Sequence, residues 1–99
     1  MKLKIFAVYD SKAEAYLQPF FMPSRGTALR AFTDAVNDPQ GSFQKHAADY
    51  TLFELGEYND ADASITELTP KVNLANAREL LKDQTPSRDN TPIIMNGDY

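Results

Sequence analysis

The chain has 99 residues, 42% of them hydrophobic, a formal net charge of −4 and no cysteine. That length makes one domain with a modest core, and the absence of thiols excludes disulfides, thiolate metal sites and a cysteine nucleophile. The acidic balance weighs against nucleic acid as a partner, but the charge is unevenly placed. Residues 1–46 carry six basic and four acidic side chains, whereas residues 47–69 carry six acidic ones and no basic one. Such a division can leave a basic patch on an acidic protein; an ordinary solvated surface is the alternative.

The opening MKLKIFAVYD has early charges and a short apolar run, unlike a signal peptide. No stretch approaches the roughly 18 apolar residues of a membrane span. The expectation is a soluble, intracellular protein. Residues 2–9 read as a strand, with Leu3, Ile5, Ala7 and Tyr9 on one face and Lys2, Lys4, Phe6 and Val8 on the other. A polar turn over residues 10–14 leads to a second strand at 15–22. Pro19 cannot donate to a ladder, so this strand lies at an edge or carries a bulge.

Residues 24–38 form the clearest helix. Ser24 suits the N-cap, and Leu29, Phe32 and Val36, widened by Ala28 and Ala35, make one apolar stripe. Asn37-Asp38-Pro39 stops it, because a residue before proline avoids the helical region. Phe43 would anchor a short helical turn over 42–48. Residues 50–58 read as a third strand, in which Gly56 marks a bulge. A turn at 59–63 leads to a fourth strand at 64–68. Residues 73–82 read as a weaker helix, with Asn73 as cap and Leu74, Ala77, Leu80 and Leu81 as its stripe.

The expected fold class is α+β. An antiparallel four-stranded sheet of two hairpins, in the order β-β-α-β-β, carries one main helix on one face and a short C-terminal helix. The domain spans residues 1–83. Residues 84–99 hold two prolines and show no periodicity; they read as a flexible tail, with Ile93-Ile94-Met95 a short docking segment.

Chemistry is sparse. The single histidine, His46, excludes multi-histidine metal sites. Ser24-Arg25-Gly26-Thr27 lacks the spacing and lysine of a P-loop, although its amide groups beside Arg25 could hold a phosphate; simple capping is the rival account. Glu54, Glu57, Asp60 and Asp62 match no cation-binding loop and read as a solvated edge and turn. Neither an enzyme nor a cofactor is expected. Aromatics say more: eleven are present, ten of them before residue 59. One helix covers one face of a four-stranded sheet. If the uncovered face shows rings beside cations, it has the composition that binds single strands, with bases stacking and cations tracking phosphates. A second subunit or the C-terminal helix could instead cover it.

Three segments, KIFAVYDSKAEAYLQPFF, RGTALRAFTDAVNDP and FQKHAADYTLFELGEYND, resemble in this order the small nonstructural protein of gokushoviruses. These microviruses are icosahedral bacteriophages with circular single-stranded DNA. The resemblance covers residues 2–68. It implies a DNA-binding protein of the host bacterial cytoplasm, acting in the switch to single-stranded genome synthesis or in packaging. On that reading Lys2, Lys4, Lys12, Arg25, Arg30 and Lys45 meet phosphates, and bases stack on Phe6 and on Phe20 or Tyr16. The rival is an acidic adaptor that binds a phage capsid or replication protein, or a host protein. A homodimer is compatible with both, and neither involves a membrane.

Overall fold

In the computed structural model the description covers residues 1–82. The tail expected at 84–99, with its docking segment at Ile93-Ile94-Met95, lies outside the described residues. Strand β1 (Lys2–Asp10) is central. It pairs antiparallel with β2 (Ala15–Tyr16) and β3 (Phe20–Met22) on one side and with β4 (Tyr50–Asn59) on the other; β5 (Ser64–Asn76) pairs with β4 at the far edge. The expected α+β class and antiparallel sheet are present, with five strands rather than four. The second expected strand is split in two around residues 17–19, where Pro19 interrupts the ladder.

Helix α1 (Arg25–Val36) starts where the sequence indicates. Ser24 Oγ accepts the Thr27 N–H at 3.2 Å, and Thr27 Oγ1 accepts the Ser24 N–H in return. Ala28, Phe32 and Val36 are its buried residues. They pack with Phe6, Val8 and Leu52 of the sheet, with Ala47 of a 3-10 helix (Ala47–Asp49) and with Ala77. Phe32 and Phe43 meet edge to face at 5.7 Å. Phe43 thus anchors its loop, although the helical turn forms at Ala47–Asp49 rather than over 42–48.

Two departures matter for the site. Strand β5 does not end at 68; it continues to Asn76, and the short helix α2 (Ala77–Leu80) is capped by Asn76 rather than Asn73. The register explains this. Gly56 pairs with Glu67 and Glu54 with Val72, so residues 68–71 bulge opposite Leu55 before pairing resumes. The Thr69–Pro70 peptide within the bulge is cis. Gly56 is required by close approach: a Cβ there would meet Thr66 O at 2.3 Å.

The second departure concerns which face the helix covers. Register places Phe6, Val8 and Leu52 together under α1. Leu3, Ile5, Ala7 and Tyr9, with their partners Phe21, Phe53 and Tyr58, form the uncovered face. The face with Lys2, Lys4 and Phe6, considered for DNA, is therefore the helix-bearing one.

Candidate nucleic-acid interface

The expected site residues, Arg30 and Tyr16 apart, divide into three groups. The first belongs to the core and its margin. Phe6 is 0% exposed, and Phe20 stacks on it at 5.8 Å at the margin of the core. Phe6 therefore cannot stack a base, which corrects its expected role; it is a core residue.

The second group is neutralised within the fold. Glu54 on β4 is 3% exposed and points under the N-terminus of α1. Lys4 Nζ stands 3.5 Å from its carboxylate, and Arg25 Nε donates to its other oxygen. Lys2 faces Glu57 at 4.0 Å. Glu54 is thus not part of a solvated edge. It joins β1, β4 and α1 through two charge-assisted contacts. The Arg25 side chain is engaged by that carboxylate, which favours the capping account of the helix entry over a phosphate site. Arg30 stands exposed on α1, away from both this cluster and the cleft described next.

The third group gathers. Lys12 and Lys45 line a surface cleft of about 440 Å³ together with His46, Asp49, Arg78 and Leu81. Each wall is fixed by local hydrogen bonds. Asp10 Oδ1 accepts the N–H groups of Lys12 and Ala13, and the Ser11 N–H donates to Asp49 O at 2.9 Å; this holds the Lys12 loop against the 3-10 helix. Asn76 Oδ1 accepts the Arg78 N–H, and Asn76 Nδ2 donates to Ala48 O and Thr51 Oγ1, each at 3.0 Å. Asn37 Nδ2 donates to Leu80 O at 3.0 Å, and its Oδ1 accepts the Lys82 N–H at 2.7 Å. These two asparagines seat α2, and Arg78 with it. Among the described residues Lys12, Lys45 and Arg78 take part in no ion pair, so three cations face one carboxylate, that of Asp49.

Beside the cleft, on the uncovered face, three rings cluster. Tyr9 and Tyr16 lie 4.9 Å apart, and Phe53 meets both edge-on at 6.5 and 5.8 Å. Tyr16 is 45% exposed. Tyr9 pairs with Thr51, one residue into β4 from the 3-10 helix, so rings and cations share one end of the sheet. The acidic turn occupies the other end. Strand β4 has ten residues, roughly 33 Å, and beyond it come Asp60 and Asp62. Asp60 accepts the N-terminal ammonium at 2.8 Å. The Ser64 hydroxyl and backbone N–H hold the Asp62 carboxyl below its ordinary pKa.

Arg78, Tyr9 and Phe53 escaped the sequence reading. Arg78 belonged to a weak helix, and only tertiary contacts of Asn76 and Asn37 bring it to Lys12 and Lys45. Tyr9 and Phe53 carry the alternation signal of an open face, but alternation does not say which face the helix takes.

The model of the Phage ORF5 protein family matches residues 3–80. The chain belongs to that phage protein family. The match includes β5 and α2, and so Arg78, which lie past the segments that carry the gokushovirus resemblance. No curated protein and no solved structure matches the chain. Among the described residues of this phage protein, no three His, Cys, Asp or Glu side chains gather as a metal site requires, and no helix is long and apolar enough to cross a membrane.

Proposed function

We propose that this phage protein is the gokushovirus-type nonstructural protein. It acts without enzymatic chemistry by binding single-stranded DNA during genome synthesis or packaging in the host cytoplasm. One observation carries the reading: Lys12, Lys45 and Arg78, three of the cations that take part in no ion pair among the described residues, meet at the end of the sheet that also presents Tyr9, Tyr16 and Phe53. Phosphates run along the cleft, and a base stacks on the exposed Tyr16 ring. The net charge of −4 does not oppose this locally, because the acidic turn stands at the far end of β4.

Fluorescence anisotropy with a short oligonucleotide, repeated over a range of salt, tests the proposal. Affinity should fall linearly in logarithm with salt, and Lys45→Glu or Arg78→Glu should flatten the slope by about 0.7 for each phosphate no longer neutralised. Lys2→Glu should leave the slope unchanged, since Lys2 pairs with Asn59 at the end of the sheet opposite the cleft. Tyr16→Ala should cost about 1–3 kcal/mol of binding with little change of slope. An absence of binding at low salt would sink the DNA reading. The adaptor reading would then take its place, and the exposed apolar side chains of the uncovered face favour it.

A further inference from the structure

Away from the Tyr9–Tyr16–Phe53 cluster, the uncovered face is apolar and has relief. Ile5, Pro19, Leu55, Gly56 and Ile65 line a groove of about 360 Å³. Phe21 stands next to it at 47% exposure, packed edge-on against Tyr58 at 5.6 Å, and Ile65 is 66% exposed. The rim charges, Glu67 and Lys71, pair with each other at 3.0 Å. The groove therefore offers a charged partner no net attraction. Ile5 is already buried in the single copy, but Phe21 and Ile65 stand in water beside the half-buried Leu55 and Tyr58, a cluster that a single domain seldom leaves unless something covers it.

We propose that this face is the contact between two copies of the chain. A knob and a groove side by side on one patch are what a two-fold, isologous interface needs, because each copy then inserts Phe21 beside the groove of the other. Charge selects the same partner. Two sheets can pack face to face with their strands running the same way or reversed. In the first arrangement the acidic turns of both copies, with Asp60 and Asp62, lie side by side. In the reversed one each acidic turn lies toward the Lys12–Lys45–Arg78 end of the other copy, which opposite charges favour. The two clefts then sit at opposite ends of the pair. The inference does not rest on the DNA reading; in such a pair each cleft has the partner's acidic turn toward its end, so association would lower the positive charge that the cleft offers a polyanion.

Sedimentation equilibrium of the full chain decides it. The expected mass is twice the 11.1 kDa of the chain. Phe21→Glu and Ile65→Glu each place a charge in the contact and should weaken association by about tenfold or more. Both side chains are exposed in the single copy, so the fold should persist, and circular dichroism checks this. Arg30→Glu, on the opposite side of the sheet, should leave the mass unchanged. A wild type that stays monomeric at millimolar concentration overturns the proposal and leaves the face to residues 83–99 or to a different protein. A dimer that persists unweakened in both variants overturns it as well. Should neither variant fold, the wild type still answers: the Ile5, Leu55 and Ile65 methyl resonances should move on dilution, and resonances that stay fixed rule the contact out.

Discussion

Glu54 shows how one side chain can set the relation of three elements. Its carboxylate is nearly sealed from water, while its two cations keep much of their surface exposed: the Lys4 side chain is 35% and the Arg25 side chain 53% accessible. The cost of breaking the cluster should therefore be asymmetric. Glu54→Gln frees two cations that can turn to solvent, and should cost about 1 kcal/mol. Removing both cations in Lys4→Ala/Arg25→Ala strands a buried charge, and should cost about 3–5 kcal/mol. Urea denaturation of the two variants gives the comparison; equal losses would mean that Glu54 is better hydrated than its burial indicates.

Elements were legible where local chemistry and long-range packing agree. The stripe of α1 and its Ser24 cap are such a case, and so are the edge position of the Pro19 segment and the bulge at Gly56. Phe32, 3% exposed, is the large residue of that stripe. Phe32→Ala should cost about 3–5 kcal/mol, most of the stability of so small a domain; a thermal midpoint close to wild type would contradict this. Gly56→Ala should cost about 1–3 kcal/mol, because the new methyl would press on the backbone of Thr66, and the melting temperature registers it. Where local and distant signals disagree, the sequence misleads. Residues 73–76 carry the start of a helical stripe, yet hydrogen bonding to β4 holds them extended, and the helix begins only at Ala77. The covered face was illegible for a related reason. Both faces of β1 are apolar enough to be core, and alternation alone does not say which of them α1 covers.

At the scale of the molecule, charge is sorted by position along the sheet rather than by strand. Three of the six basic side chains in residues 1–46 are matched by Glu54 and Glu57, and two others, Lys12 and Lys45, meet Arg78. A count along the chain suggests a basic half and an acidic half. The fold instead neutralises one set of lysines and concentrates another. The association rate with a polyanion should therefore fall as salt rises, and Lys12→Glu should lower it further, because the cleft end leads the approach. Stopped-flow mixing with an oligonucleotide measures this; a rate indifferent to both changes would mean that the cleft does not steer.

The two asparagines that seat α2 have a consequence for motion. A helix of four residues cannot hold itself together, so α2 persists because Asn37 and Asn76 tie it to the rest of the chain. It should open as its own small unit while the sheet stays closed. Amide protons at Arg78 to Leu81 should exchange with deuterium far sooner than those at the centre of β1, and Asn76→Ala should hasten them with little effect on β1. Arg78 would then leave and rejoin Lys12 and Lys45 on that same clock, so the cleft would be a transient enclosure whose lifetime is set by two amide side chains.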